Sequence, residues 1–411
     1  MIRRRTIFVL VLCLAGLAST AGCQNAGSGP LPAPVNGKAP ETIERAKGIY
    51  YLELSGTPIE MGKRHGAALK KLIREQVVDY RKNVIATFGK ENGERILKYV
   101  VKESKFIEDI KKHFPHVYEE MEGIAKGAEL EIDDILLLQM YEEVYEGAAQ
   151  ELKIDPLKRD DGKCTTLTCA GRKGFPNLNA QNLDYTSNLD GAQLMIHYTY
   201  PSGLKILLYT FAGQVGGIGA NNKGLSMVCN TLPEGSKRKN DGLGGTYITR
   251  GLLEQGSVAE AVAWLKKMPQ FGCYNYSLTD FKESRMVEYS PKDLAVREVP
   301  RDTQFLAHTN HIHWLKDRNE IPDYPGGEPK ENTSTVVRQK AADKQLAGKG
   351  ATATVDDLKA ILTAAPVNRE LNSKGTLTLQ SIIAVHKRDD LRLYASAGND
   401  PKRSWNVYKF K

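Results

Sequence analysis

Cysteine and tryptophan are scarce in this chain, six and three residues among 411. No pair of cysteines has CxxC spacing, so nothing argues for a zinc site of that kind. Charge of one sign is not gathered anywhere. Basic residues alternate with acidic ones, as in Lys70, Lys71, Arg74, Glu75 and in Lys282, Glu283, Arg285, so the net +8 describes solvated faces and implies no nucleic-acid partner. There is no internal repeat. No apolar run reaches bilayer length either: Ile7 to Leu17 is short for a span, and it follows Arg3, Arg4 and Arg5 as the core of an export signal follows its charged start. The glycine-rich stretch Gly213 to Gly219 lacks the following helix of a phosphate loop and reads as a substrate-side turn.

What is present is an ordinary globular composition, 41% apolar and 26% charged, with enough chain for a large core. The segment Leu17-Ala18-Ser19-Thr20-Ala21-Gly22-Cys23 resembles a bacterial lipobox, in which small residues precede a cysteine that takes lipid and becomes the mature N-terminus. Residues 1–22 are therefore expected to be a lipoprotein signal peptide, and residues 23–47, rich in Ala, Gly, Pro and Asn, a tether between lipidated Cys23 and a folded body. Removal of the signal deletes three arginines and lowers the formal charge from +8 to +5. The expected location is membrane-anchored, facing the periplasm or the cell surface. Residues 48–411 read as one catalytic domain.

Its first third looks helical. A strand over Ile49–Leu54 leads into Thr57-Pro58-Ile59-Glu60, a capping box with proline at the first helical position, and the helix is expected to run to about Phe88. Further helices are expected over Glu91–Lys112, Val117–Lys126 and Ile132–Tyr145. From Cys164 onward short strands alternate with Gly, Pro and Asn turns, interrupted by one helix over Tyr247–Lys267 and two over Ser334–Leu346 and Val355–Leu362, before a hairpin of Leu377–His386 with Leu391–Ala397. Helices, sheet, helices, sheet suggests stacked antiparallel sheets covered by helices.

The chemistry concentrates where the pattern changes. In Gly162-Lys163-Cys164-Thr165-Thr166-Leu167-Thr168-Cys169 a cysteine opens a Thr-rich strand, and Ala180-Gln181-Asn182-Leu183-Asp184-Tyr185 follows with an Asn-x-Asp turn. If the peptide bond between Lys163 and Cys164 opens, one residue holds a thiol nucleophile and a free α-amine as its base. An α-amine with a pKa of about 7.7 to 8.0 is appreciably unprotonated near neutral pH and can do that work. Cys169, Cys229 and Cys273 read as small buried hydrophobes. Of His308, His311 and His313, only the last two share a strand face, and no acidic or cysteine neighbour in the sequence completes a metal set.

Residues 48–411 resemble an N-terminal-nucleophile hydrolase of the acyl-coenzyme A:6-aminopenicillanic acid acyltransferase type, related to choloylglycine hydrolases and acid ceramidase. The resemblance rests on Gly56-Thr57-Pro58-Ile59-Glu60-Met61-Gly62 with Gly66, on Met121-Glu122-Gly123-Ile124-Ala125-Lys126-Gly127-Ala128, on Cys164-Thr165-Thr166 with Gln181-Asn182 and Asp184, on His308-Thr309-Asn310-His311, and on Ser396-Ala397-Gly398-Asn399. It implies an α+β fold, a four-layer αββα sandwich. It also implies a precursor cut before Cys164 into a helical pro-segment, 48–163, and a catalytic segment, 164–411, that stay paired. Cys164 would carry the acyl group as a thioester, Asp184 would sit by the amine, and Arg338 would fix that aspartate. Asn275 would donate to the oxyanion, while Asn230 would bind the amine or the substrate. Gln181 stands where choloylglycine hydrolases commonly have arginine, which argues against bile-salt hydrolysis. Lys163 stands where the family usually has glycine, and a bulky residue there slows an attack that needs a strained backbone. The substrate implied is a small acyl amide, a linear non-peptide C–N bond, with no cofactor. Two other readings stay open: a papain-like cysteine peptidase that pairs Cys164 with one of the three histidines without self-cleavage, and a lipid-anchored binding protein on a degenerate hydrolase scaffold.

Overall fold

Side chains alternate along each strand, so a strand lying between two layers buries both faces, and several strands here do, with Thr, Asn and Gln among the buried residues. The computed structural model describes residues 44–141, 143–155, 163–172, 174–233, 241–300, 302–316, 318, 329–373, 375–388 and 390–410. The signal peptide, Cys23 and nearly all of the tether lie outside them. Thr42–Lys411 form one compact unit.

The chain opens with β1 (Glu44–Ala46) and β2 (Ile49–Ser55), then α1 (Pro58–Ala68), α2 (Lys70–Phe88), α3 (Lys90–Lys102), α4 (Phe106–His113), α5 (Pro115–Ala128), α6 (Ile132–Gln139), a π-helical turn (Glu143–Ala148) and α7 (Ala149–Glu151). Next come β3 (Lys163–Cys169), β4 (Asn177–Thr186), β5 (Gln193–Thr199), β6 (Lys205–Phe211), β7 (Ile218–Asn221) and β8 (Ser226–Thr231), followed by α8 (Gly245–Leu253) and α9 (Val258–Leu265). The last part holds β9 (Tyr274–Thr279), β10 (Ser284–Tyr289), β11 (Leu294–Glu298), β12 (Phe305–His308), α10 (Ser334–Leu346), α11 (Val355–Thr363), β13 (Thr376–Lys387), β14 (Asp390–Ala397) and β15 (Asn406–Lys409).

The strands form a nine-stranded sheet, β1-β2-β5-β6-β7-β8-β9-β10-β11, and a six-stranded sheet, β12-β3-β4-β13-β14-β15. Met195, Leu207, Tyr209 and Val228 of the first pack with Ile382, Ala384, Leu393 and Ala395 of the second, which makes the middle of the sandwich. On the outer face of the larger sheet Leu54, Ile196 and Leu208 meet α1 to α6, α8 and α9. On the outer face of the smaller one Leu167, Ala180 and Ile383 meet α10 and α11. The result is the four-layer αββα arrangement that the resemblance implies.

The element boundaries differ from expectation in specific places. The helix expected to run unbroken to Phe88 divides at Leu69, whose ψ of 23° ends α1. The one expected over Glu91–Lys112 is α3 and α4, and the one over Tyr247–Lys267 is α8 and α9, the second started by Ser257 accepting from the Glu260 amide at 3.2 Å. The larger sheet is not wholly antiparallel: β2 runs parallel to β5, and seven α-helices and the β3–β4 pair of the other sheet separate them in the chain. The capping box is present, with the Glu60 carboxylate accepting from the Thr57 amide at 3.0 Å and its hydroxyl at 2.8 Å.

The glycines of the first two signatures have a shared cause. A Cβ on Gly62 would lie 2.0 Å from the Glu120 carbonyl oxygen, on Gly66 2.2 Å from that of Ile124, on Gly123 2.4 Å from that of Ile59, and on Gly127 2.2 Å from that of Lys63. Two glycines four residues apart on each helix thus bring the backbones of α1 and α5 into contact.

Candidate active site

Cys164 is the second residue of β3 and lies across from Leu183 on β4, while Lys163 faces Asp184. Alternation then sorts the strand. Leu167 and Cys169 turn toward α10 and α11, whereas Thr166 reaches Asn230 and Thr168 reaches Ser277, both on the larger sheet. Cys164, two residues before Thr166, turns its thiol to the same inter-sheet side.

The Cys164 backbone is held at both its nitrogen and its carbonyl oxygen. Its N–H donates to Asn310 Oδ1 at 2.8 Å. Its carbonyl oxygen accepts from Arg338 Nη1, which also donates to Thr165 Oγ1 at 2.8 Å. Arg338 Nη2 donates to the same Asn310 Oδ1 at 2.9 Å, and Asn310 Nδ2 donates to the Thr231 carbonyl at 2.9 Å, so both ends of that amide are oriented. Arg338 is fully enclosed on α10, with Nε donating to Ser334 Oγ at 3.2 Å. Burial lowers its pKa to about 10, which leaves it charged at neutral pH.

Asp184 is also buried completely, and its Oδ1 accepts from Thr378 Oγ1 at 2.6 Å. Among the described residues its Oδ2 has no hydrogen-bond partner. Burial raises its pKa to about 6 against the pull of Arg338, Thr378, Arg369 and Arg403. The Cys164 thiol is pushed up to about 12, by burial first and by Asp184 second, with Arg338 and Gln181 opposing. In the uncleaved chain this sulfur is a protonated thiol. It needs a base beside it.

Asn230 and Asn275 are cross-strand partners on β8 and β9. Asn230 Oδ1 accepts from Thr166 Oγ1 at 2.9 Å and from Asn275 Nδ2 at 3.0 Å, and its own Nδ2 donates to the His308 carbonyl at 3.3 Å. Asn230 is tied to Thr166, Asn275 and His308, while the amide of Cys164 is bound by Asn310, a residue the motif reading quoted without assigning a role. Arg338 likewise bonds to the nucleophile's own backbone, while the ion pair nearest to Asp184 is Arg369 Nε at 4.0 Å. The signal for Asn310 was its motif; what placed it was β12 pairing with β3, His308 opposite Thr166.

The histidines are engaged elsewhere. His308 faces Glu288 Oε1 through Nε2 and the Thr309 carbonyl through Nδ1, each at 2.8 Å. Glu288 also accepts the backbone amides of His313, Trp314 and Leu315 at 2.7 to 3.0 Å. Burial would raise this carboxyl, but the His308 bond and those amides hold it below the ordinary range. His311 Nδ1 meets Thr335 Oγ1 at 2.9 Å. Cys164 and Cys169 are free thiols.

A four-layer αββα sandwich is the architecture of the N-terminal-nucleophile class of hydrolases, and here the backbone of its inter-sheet cysteine is gripped by an arginine and an asparagine. A sequence model of the acyl-coenzyme A:6-aminopenicillanic acid acyl-transferase family matches residues 171–383, just over half of the chain. The chain belongs to that family. The match begins after Cys164 and spans Asp184, Asn230, Asn275, Asn310 and Arg338. The acyl-coenzyme A:6-aminopenicillanic-acid-acyltransferase 40 kDa form of Emericella nidulans is 28% identical over 281 residues, 67% of this chain and 74% of that protein. An uncharacterised protein of Archaeoglobus fulgidus is 30% identical over 148 residues, 33% of this chain but 22% of its own length. The solved penicillin V acylase of Agrobacterium tumefaciens aligns over 59% of this chain and 84% of its own, with 15% identity and a TM-score of 0.39.

Proposed function

We propose that the chain is a self-cleaving amidohydrolase or acyltransferase in which Cys164, freed at its N-terminus, exchanges or hydrolyses a linear non-peptide amide. The observation that carries this is the seating of the Cys164 nitrogen on Asn310 Oδ1 at 2.8 Å, with Arg338 bound to both Asn310 and the Cys164 carbonyl. The atom that becomes the amine already rests on its acceptor.

In self-cleavage the thiol sulfur adds to the Lys163 carbonyl carbon, the C–N bond breaks, and the departing nitrogen takes up the thiol proton to become the α-amine. Water then hydrolyses the resulting thioester, which leaves a carboxylate on Lys163 and a thiol on Cys164. In turnover the amine accepts the thiol proton, sulfur attacks the substrate carbonyl, and the proton passes to the departing amine. The thioester goes to water or to an acceptor amine. Asp184, with its unpartnered Oδ2, stabilises the ammonium as it forms. Asn275 supplies the oxyanion donor, its amide oriented by Asn230 at 3.0 Å so that one N–H is left to point at the substrate. The two chains stay paired, and lipid on Cys23 holds them at a membrane.

N-terminal sequencing and intact mass of the purified protein test the first step. Two chains are expected, the second beginning at Cys164, with Cys164→Ala a single chain. An uncut wild type that nevertheless hydrolyses acyl amides sinks the mechanism. Mass analysis of the mature N-terminus tests the anchor, which is lost if the chain begins anywhere but at a diacylated Cys23.

A further inference from the structure

Beyond Asp184 the wall of a cavity begins. The next residues of β4, Tyr185 and Thr186, line a space of about 490 Å³ together with Tyr80 and Asn83 of α2, Tyr145 of the π-helical turn and Gln214 of the glycine-rich run. Tyr141 stacks on Tyr145 at 4.5 Å between ring centroids and tilts against Tyr185 at 5.0 Å. The Tyr80 hydroxyl donates to the Met140 carbonyl at 3.0 Å, and Gln214 Nε2 donates to the Leu138 carbonyl at 3.1 Å, which fixes both walls.

From these residues we infer that this cavity holds the acyl part of the substrate, that it selects an uncharged acyl group, and that the part of the chain before Cys164 makes the selection. The inference rests on the proposed thioester at Cys164. Direction supports it. An acyl group on the Cys164 sulfur puts its carbonyl where that of Lys163 stands, and Lys163 faces Asp184. The substituent beyond that carbonyl then runs along β4 past Asp184, and two residues of strand cover only about 7 Å. Tyr185 and Thr186 lie within that reach.

Chemistry supports it too. Among the described residues lining the cavity there is no Asp, Glu, Lys, Arg or His. Tyrosine rings and amide side chains can flank a flat face and hydrogen-bond a neutral polar atom, but a carboxylate would meet no counter-charge among these described residues and lose its hydration. Asn83, Thr87, Tyr80 and Tyr145 come from before Cys164, while Tyr185, Thr186 and Gln214 come from after it, so each of the two chains formed by cleavage supplies a wall.

The test uses the processed full chain and anilides with one common leaving group: benzoyl, hexanoyl and glutaryl. The neutral pair should exceed glutaryl at least tenfold in kcat/KM. Asn83→Lys should move that ratio toward glutaryl by about tenfold or more, mostly through KM, with cleavage at Cys164 still complete. Thr87→Lys, one helical turn on, should move it the same way and replaces the first variant if that one does not fold. Glutaryl turnover equal to the neutral pair, or a ratio unmoved by both lysines, overturns the cavity assignment while leaving the thioester reading intact. No turnover of any anilide by cleaved enzyme overturns the reading beneath it instead.

Discussion

At the scale of single residues, Arg338 and Asn310 decide whether Cys164 is positioned or merely buried. Arg338 holds Cys164 O, Thr165 Oγ1 and Asn310 Oδ1 at once through its planar guanidinium, and a lysine point charge cannot satisfy three acceptors in that geometry. Arg338→Lys should slow self-cleavage on the order of ten- to a hundredfold, and Asn310→Ala by about a hundredfold or more, the scale at which one preorganised polar contact counts. A time course of fragment appearance on a denaturing gel reads both, and wild-type rates would show that the grip is ornamental. Asp184 gives a pH signature. Its folded pKa of about 6 lies above the ordinary aspartate value of 3.8, so between these the folded chain binds the extra proton and stability falls as pH rises. That shift corresponds to a loss on the order of 3 kcal/mol, complete above about pH 6. Uncleaved Cys164→Ala should show this slope in denaturant melts between about pH 4 and 6, and Cys164→Ala with Asp184→Asn should lack it. Identical slopes would mean that Asp184 is not the group titrating there.

At the scale of elements, the crossing of α1 and α5 is where a small change costs most. Gly62→Ala would put a methyl 2.0 Å from the Glu120 carbonyl, backbone that cannot step aside, so the helices must separate. A loss of about 3 kcal/mol is expected in urea melts, at the upper end of overpacking effects, whereas Lys126→Ala on the exposed face of α5 should change little. These glycines were readable in the sequence as a spacing, and their cause was not, because a four-residue interval does not say which helix lies opposite. The same limit runs through the rest. Strand patterning located β3, β4, β13 and β14 to within a few residues. The breaks at Leu69 and after Lys102 carry no proline or glycine and arise from packing, and the parallel pairing of β2 with β5 leaves no mark on either strand. Cys164, Asp184 and Arg338 stood out by residue type and order. Asn310 acquires meaning only when β12 docks on β3.

At the scale of the whole molecule, the proposed cleavage between Lys163 and Cys164 raises the question of what would keep the two chains together. The segment before the cut contributes β2, inserted between β1 and β5 of the larger sheet, and the helices that cover that sheet. It also contributes Glu120 of α5, 1% exposed, whose carboxylate accepts from Arg250 Nη2 of α8 at 2.9 Å and from the Tyr198 hydroxyl of β5 at 2.6 Å. Arg250 is fully buried, lies 4.2 Å from the Tyr198 ring centroid, and gives Nη1 to the Val215 carbonyl at 2.8 Å. A buried charge left without its partner costs about 3 to 5 kcal/mol, more than the pair itself contributes, so each partner depends on the other chain being in place. The cleaved enzyme should therefore elute from size exclusion as one species containing both chains. Glu120→Gln and Arg250→Met should each lower the urea midpoint for chain separation, and the double variant should lose less than the two losses added, by about 1 to 3 kcal/mol. Strict additivity would mean that Glu120 and Arg250 do not act as a pair across the cut, and that β2 and the helix contacts hold the chains alone.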